Sequence, residues 1–164
     1  MKEAALVIIK PDGIAKGIYG DILTKFSNAN LELIGMRVVK VSKKLAEEHY
    51  KHIKDKPFFK QVIEYLVGKY HKENKVIAIV YCGDNGIKKC RAIAGATNPE
   101  EAFPKSVRGS YGRVTTKGVY ENVVHVSSNS KEADREIKLW FCPGDLIKNI
   151  YPIKFNNQKR RIWA

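Results

Sequence analysis

Glu121-Asn122-Val123-Val124-His125-Val126-Ser127-Ser128 is the stretch on which the fold and its chemistry turn. Residues 120–126 are apolar and β-prone, so they read as a strand. Asn129, with Glu132 three residues on, reads as a helix N-cap and capping box. His125 is therefore delivered to the point where a helix begins. An imidazole is nucleophilic at neutral pH, and backbone N–H groups at a helix start suit phosphate. The same placement also suits an ordinary half-buried histidine.

Downstream, Ala133, Ile137 and Trp140 recur at helical spacing and form a buried stripe. Glu136 borders that stripe about two turns into the helix, within reach of His125. It could equally pair at the surface with Lys131 or Lys138. Upstream, residues 95–119 are rich in Gly, Pro, Thr and Ser, with Arg108 and Arg113 embedded. A loop of that length inside a compact domain is usually functional or disordered, and its composition favours an anion site.

The rest of the chain supplies more strands and helices. Residues 3–10 form an apolar strand that stops at Lys10-Pro11-Asp12-Gly13, a turn with a lysine on its lip. Gly13, Gly17 and Gly20 lead into a helix over 21–28, with Ile22, Leu23 and Phe26 on one face. Neither G-x-x-x-x-G-K-[ST] nor G-x-G-x-x-G occurs, so phosphate is held some other way.

Residues 31–41 read as a strand burying Ile34, Met36 and Val38, and Ser42 caps a charged helix over 43–54. That helix is expected to carry His49 and His52 at i, i+3 on its surface, a metal-like spacing without a third ligand. Lys56-Pro57-Phe58-Phe59 opens another helix, with Phe59, Val62, Ile63 and Leu66 as its stripe. Adjacent phenylalanines cannot easily share one core, so Phe58 is either packed at its margin or free to stack on a base. His71 falls in a polar run and is expected in solvent. A buried strand over 76–82 and a helix over 87–94 complete the order. Two β-α-β halves with a helical insertion follow, an α+β sandwich.

Composition sets the frame. The 164 residues, 44% of them hydrophobic, fit one domain with a proper core and a trailing extension. Three cysteines, Cys82, Cys90 and Cys142, in no C-x-x-C spacing suggest neither a disulfide framework nor a zinc site, and a reducing, cytoplasmic setting is expected. The apolar start at 4–9 is too short for a signal sequence or a bilayer span, so no membrane association is expected. Thirty Lys and Arg against 17 Asp and Glu give a formal net charge of +13, which attracts polyanions or phosphorylated small molecules. Residues 148–164 hold Lys148, Lys154, Lys159, Arg160 and Arg161 with no acid, either a solvated tail or a nucleic-acid contact.

Several segments together, Lys10-Pro11-Asp12-Gly13, His49-Tyr50, Lys56-Pro57-Phe58-Phe59, Gly95-Ala96-Thr97-Asn98-Pro99, Val107-Arg108-Gly109 and Asn122-x-x-His125-x-Ser127, resemble the nucleoside diphosphate kinase family in one colinear order. The resemblance runs from about residue 3 to residue 145. It implies a ferredoxin-like antiparallel sheet covered by helices, with a helical hairpin insertion, in a domain over 1–147 followed by a basic extension over 148–164. It implies transfer of a γ-phosphate from a nucleoside triphosphate to a nucleoside diphosphate, ping-pong fashion, through a phosphohistidine. By motif, His125 matches the nucleophile and Glu136 the acid that orients it. Lys10 matches the lysine on phosphate and sugar, and Tyr50 the tyrosine beside the histidine. Arg91, Thr97 and Arg108 match the phosphate ligands, Asn122 the ribose contact, Phe58 the aromatic under the base and Val62 its apolar neighbour. Mg²⁺ is expected on the nucleotide, and a homo-oligomer, hexamer or tetramer, is implied.

The chain departs from the family near the nucleophile. Val126-Ser127-Ser128 replaces Gly-Ser-Asp, and a β-branched residue resists a positive φ, so either the backbone differs there or the glycine was never required. The connection from Arg108 to Asn122 is also longer than usual. These departures and the basic tail leave an alternative open: a nucleotide- or nucleic-acid-binding member with weak or no kinase activity.

Overall fold

Ala5, Leu6, Val7, Ile8 and Ile9 form an unbroken apolar run in β1 (Lys2–Ile9), and all five are fully buried in the computed structural model, which describes residues 2–156 and 161–164. A strand apolar on both sides needs cover on both faces. Antiparallel neighbours supply its edges: β3 (Lys75–Asp84) on one side and β6 (Val124–Val126) on the other, with β2 (Glu32–Lys40) beyond β3. The order β2-β3-β1-β6 is that of a ferredoxin-like sheet, as expected.

Helices cover both faces. Ala5, Val7 and Ile9 pack against α2 (Tyr19–Ser27) through Ile22 and Phe26 and against α5 (Gly86–Ala94) through Ile87 and Cys90. Leu6 and Ile8 face α3 (Lys43–His49), α4 (Phe59–Leu66) and α7 (Ser130–Trp140) through Ala46, Ile63, Leu66, Ile137 and Trp140. Each large apolar side chain buried this way contributes roughly 1.5–3 kcal/mol against the cost of ordering the chain. A short α1 (Pro11–Ala15) precedes α2, with proline near its start. Asn129 caps α7 by accepting the Glu132 N–H at 2.9 Å, while the Glu132 carboxylate turns to Arg135 instead of closing the box. The rest of the expected 95–119 loop holds α6 (Val107–Tyr111) and β4 (Arg113–Val114).

Four expectations need correction. First, the strand over 120–126 is two pieces. β5 (Tyr120–Glu121) pairs with β4 as a hairpin turning at Gly118 (φ 71), and the chain then breaks at Val123, which has φ 54. The break is held by Val123 N–H on Asp12 Oδ2 at 3.0 Å, Lys10 N–H on the Val123 carbonyl at 2.9 Å, and Val124 N–H on the Asn122 carbonyl at 2.6 Å. The positive φ therefore falls on Val123, while Val126 sits in a strand with no such demand.

Second, the register of β2 shifts between Leu33 and Gly35. Ile34 is buried as expected, but past the irregularity Met36 and Val38 point outward, 51% and 65% exposed. Third, the 43–54 helix stops at His49, and a 3₁₀ turn (Lys51–Ile53) replaces its second half. His49 is not on the surface; it is fully buried. Fourth, His71 is largely enclosed, stacked edge-on against Tyr65.

Beyond the sheet domain, β7 (Ile153–Phe155) and β8 (Arg161–Trp163) form a hairpin. Trp163 Nε1–H donates to the Phe141 carbonyl at 2.8 Å and its ring meets Tyr151 edge-on, while Lys148 bonds Glu32. Lys159 and Arg160 lie outside the described residues. No described helix is long and apolar enough to cross a membrane.

Candidate active site

The β1–β6 ladder sets the centre of the site. His125 lies opposite Ile8 in that register, at the end of a strand whose next residue but one, Ser127, is fully buried. The His125 side chain keeps 15% of its surface exposed, at the floor of a cavity of about 510 Å³. Beneath it, one turn-face of α7 brings up Glu136, which is 1% exposed. His125 Nε2 and Glu136 Oε1 are 2.9 Å apart, and Ser127 Oγ–H donates to Glu136 Oε2 at 2.6 Å. Burial pushes the Glu136 carboxyl up, but adjacent His125 and the hydrogen bonds from His125 and Ser127 outweigh it, so the group is held below its ordinary range. An ionised Glu136 accepts the Nε2 proton and thereby leaves the Nδ1 lone pair of His125 free. The surface alternative for Glu136, pairing with Lys131 or Lys138, does not arise, since its carboxylate is buried against His125 and Ser127 and Lys138 pairs with Asp134.

Charge gathers above that ring from three other parts of the chain. Lys10, immediately after β1, donates Nζ–H to Asn122 Oδ1 at 2.7 Å. Asn122 Nδ2–H in turn donates to the Thr97 carbonyl at 2.8 Å. Burial lowers the Lys10 ammonium to about 8, with Asp12 opposing the shift and Arg108 adding to it. Arg108, on α6, donates to the carbonyls of Gly95 at 2.7 Å and Val124 at 3.0 Å, and its Nε is buried with no acceptor. Burial lowers it to about 10, partly offset by Tyr50 and reinforced by Arg91. Arg91 extends from α5 and Thr97 from the loop after Gly95, whose φ of 86 turns the chain. All five of these residues line the cavity with His125.

The outer part of the cavity is apolar. Phe58, just before α4, is 48% exposed there, and Val62 lies one turn on. Tyr50 lines the inner wall, its ring edge-on to His125 with centroids 6.1 Å apart, and burial pushes its phenol up. Every expected site residue thus lines one cavity or, in the case of Glu136, supports its floor.

Among the described residues, no aspartate or glutamate lines the cavity. Among the described residues the one cluster with metal-ligand spacing is His49, His125 and Glu136. It does not fit a metal: Trp140 Nε1–H donates to His49 Nδ1 at 3.1 Å, which leaves the proton of the neutral ring on Nε2 and no second lone pair to coordinate. A hard divalent cation, needing oxygen ligands, fits here only with phosphates that bring those oxygens along.

His49, Ser127 and Asp12 stand in the quoted motifs, but sequence reasoning gave none of them a role in the site. His49 was misassigned because helical spacing with His52 suggested one exposed face. Its neighbour in the fold is Trp140, ninety-one residues away, which no local pattern discloses.

The nucleoside diphosphate kinase family model matches residues 3–146. A nucleoside diphosphate kinase of Caldanaerobacter subterraneus is 43% identical over 139 residues, 85% of this chain and 94% of the relative. One from Pyrococcus horikoshii is 37% identical over 150 residues, 92% and 90% of the two chains. Among solved structures, a transition-state mimic of the Borrelia burgdorferi enzyme with bound vanadate and ADP aligns with TM-score 0.79 and 28% identity, covering 90% of this chain and 92% of that one. The Halobacterium salinarum enzyme in complex with CDP aligns with TM-score 0.79 and 31% identity, covering 91% and 93%. The protein belongs to the nucleoside diphosphate kinase family.

Proposed function

We propose that this protein transfers the γ-phosphoryl group of a nucleoside triphosphate to a nucleoside diphosphate through a covalent intermediate on Nδ1 of His125. The observation that carries the reading is the pairing of His125 Nε2 with Glu136 at 2.9 Å beneath a cavity walled by cations. Nδ1 attacks the γ-phosphorus, the bond to the β,γ-bridging oxygen breaks, and the nucleoside diphosphate leaves with that oxygen's electrons. The positive charge developing on the imidazole is met by Glu136 through the Nε2 proton. A terminal oxygen of a second diphosphate then attacks the same phosphorus, and Nδ1 is released unchanged.

Such a loose transition state needs in-line placement and charge neutralisation more than acid–base work. Lys10, Arg91 and Arg108 would supply the charge, with Thr97 as a further phosphate ligand. Mg²⁺ carried on the nucleotide's phosphates would add charge neutralisation there. Phe58 and Val62 offer a flat apolar platform for the base, and stacking alone tolerates any base. Asn122, already bonded to Lys10, is suited to the ribose hydroxyls, and Tyr50 to packing beside the nucleophile.

Assembly as a homo-oligomer, hexamer or tetramer, belongs to this reading. In its support, the edge strand β2 exposes Leu33, Met36 and Val38 in a row that water covers poorly. A cytoplasmic setting also belongs to it, consistent with three free cysteines. We take residues 1–147 as the catalytic domain and 148–164 as an extension. That extension could hold single-stranded nucleic acid as well, since Lys154, Phe155 and Arg161 are exposed together on its hairpin. Binding that weakens steeply with salt and disappears on removal of residues 153–164 is the expected sign.

Transfer from ATP to each of several nucleoside diphosphates, with His125→Ala alongside, tests the main reading. The parent should phosphorylate all of them and the variant none. Equal transfer by both would remove His125 from the reaction.

A further inference from the structure

His49 is the one large buried polar side chain beside the nucleophile to which the reaction above gives no task. It is fully buried, yet its Nε2 has no hydrogen-bond partner. A buried donor left unpaired is costly, and in a native structure it calls for a reason.

Its surroundings supply one. Trp140 Nε1–H on Nδ1 at 3.1 Å fixes both the tautomer and the tilt of the ring. Trp140 belongs to α7, the helix that also carries Glu136. The backbone of His49 is tied to the same helix, because Arg135 donates to the carbonyls of Glu48 at 3.0 Å and His49 at 2.9 Å. Held so, the His49 ring meets two others edge-to-face: His125 at 4.4 Å and 79°, and Tyr50 at 4.6 Å and 73°. The Nε2–H is thus buried beside these packed rings without a hydrogen-bond acceptor. Glu136 alone gives the His125 ring one anchor, at Nε2. A single hydrogen bond does not by itself hold the ring against a flip about Cβ–Cγ, which would break that bond and turn Nε2 toward the cavity.

We propose that His49 is a positioning residue: clamped by Trp140 and wedged against the His125 ring, it fixes the rotation of that ring so that Nδ1 alone meets the incoming phosphorus. The proposal rests on His125 being the phosphoryl acceptor. Bracing needs only a ring; that the ring is a histidine satisfies the buried Trp140 N–H, which matters for stability, and the unpaired Nε2–H is the accompanying cost. Burial, and after it the nearby His125, hold the His49 imidazole well below its ordinary range, so it braces without adding a cation beside the nucleophile.

The test is to react the protein with a nucleoside triphosphate and identify which ring nitrogen carries phosphate by ³¹P NMR, measuring kcat and KM in parallel. The parent should give the Nδ1 isomer alone. In His49→Ala, kcat should fall about tenfold or more, with KM for the nucleotide within about threefold, and the Nε2 isomer should appear alongside Nδ1. His49→Phe, which keeps a ring against His125, should restore a single isomer. If the alanine cavity unfolds the chain, His49→Gln, similar in volume but ringless, should give the same mixture. A lone Nδ1 isomer at parental kcat in the ringless variants would overturn the proposal. So would a loss shared equally by kcat and KM with no second isomer, the mark of general structural damage. Absence of any phosphohistidine in the parent would instead overturn the underlying reaction.

Discussion

Two sets of buried charge lie a few residues apart in this chain, and they are built on opposite rules. At the cavity, no carboxylate among the described residues is ion-paired with Lys10 or Arg108: Lys10 is bonded to an amide oxygen, with Asp12 only partly offsetting its burial, and Arg108 is bonded to two backbone carbonyls. At the neighbouring corner, Glu121 is 5% exposed and amply countered, by Arg113 Nε at 2.5 Å and Lys16 at 3.5 Å, with the His71 ring 3.7 Å away. Paired charges close a structure, here anchoring the β4–β5 hairpin. Buried cations fixed by neutral groups cost stability and wait for an anion. The contrast separates residues kept for folding from residues kept for chemistry.

The strongest way to break that contrast is Lys10→Met. If the lysine is held for phosphate, kcat/KM should drop about 10²–10³-fold, while thermal unfolding should show a protein as stable as the parent or more so. The sign follows from the lowered ammonium. The folded state gives up a proton at about 8, well below the unfolded value, so charged Lys10 opposes folding below that pH, and the penalty fades as pH rises toward the unfolded value. The stability gain of Lys10→Met should therefore be largest below pH 8. In the parent, kcat/KM should decline above pH 8 as the charge is lost, a limb the variant lacks.

Glu121→Gln should behave in the opposite way. Removing the acid leaves Arg113 and Lys16 without their shared partner, and unfolding should be easier by about 1–3 kcal/mol, with kcat within about twofold of the parent. A variant as stable as the parent but catalytically dead would erase the distinction. The smallest expected effect is that of Arg113→Gln, because the arginine side chain is 66% exposed. Chemical denaturation should register no more than about 1 kcal/mol, and transfer should be unaffected.

Much of this was legible from residues alone. The apolar run through Ala5 to Ile9 announced a strand, Asn129 a helix start, and the stripe of Ala133, Ile137 and Trp140 its buried face. Those signals are local, and local periodicity reports them. The site residues were named by colinear motifs, although their convergence comes from the β1–β6 register and the α7 crossing, which no single segment encodes. The misreadings have the opposite character. A bulge near Ile34 reversed the faces of Met36 and Val38, and Val123 took φ 54 because Asp12, one hundred and eleven residues away, holds its N–H. His49 was sunk by Trp140. In each case a long-range partner overruled the local pattern.

The most direct measurement is to treat the protein with γ-³²P-labelled ATP, quench before any acceptor is added, and locate the label. One acid-labile phosphate per chain on His125, discharged completely by a nucleoside diphosphate, is the predicted result. Stable label on another residue, or His125→Ala labelled as fully as the parent, would contradict it.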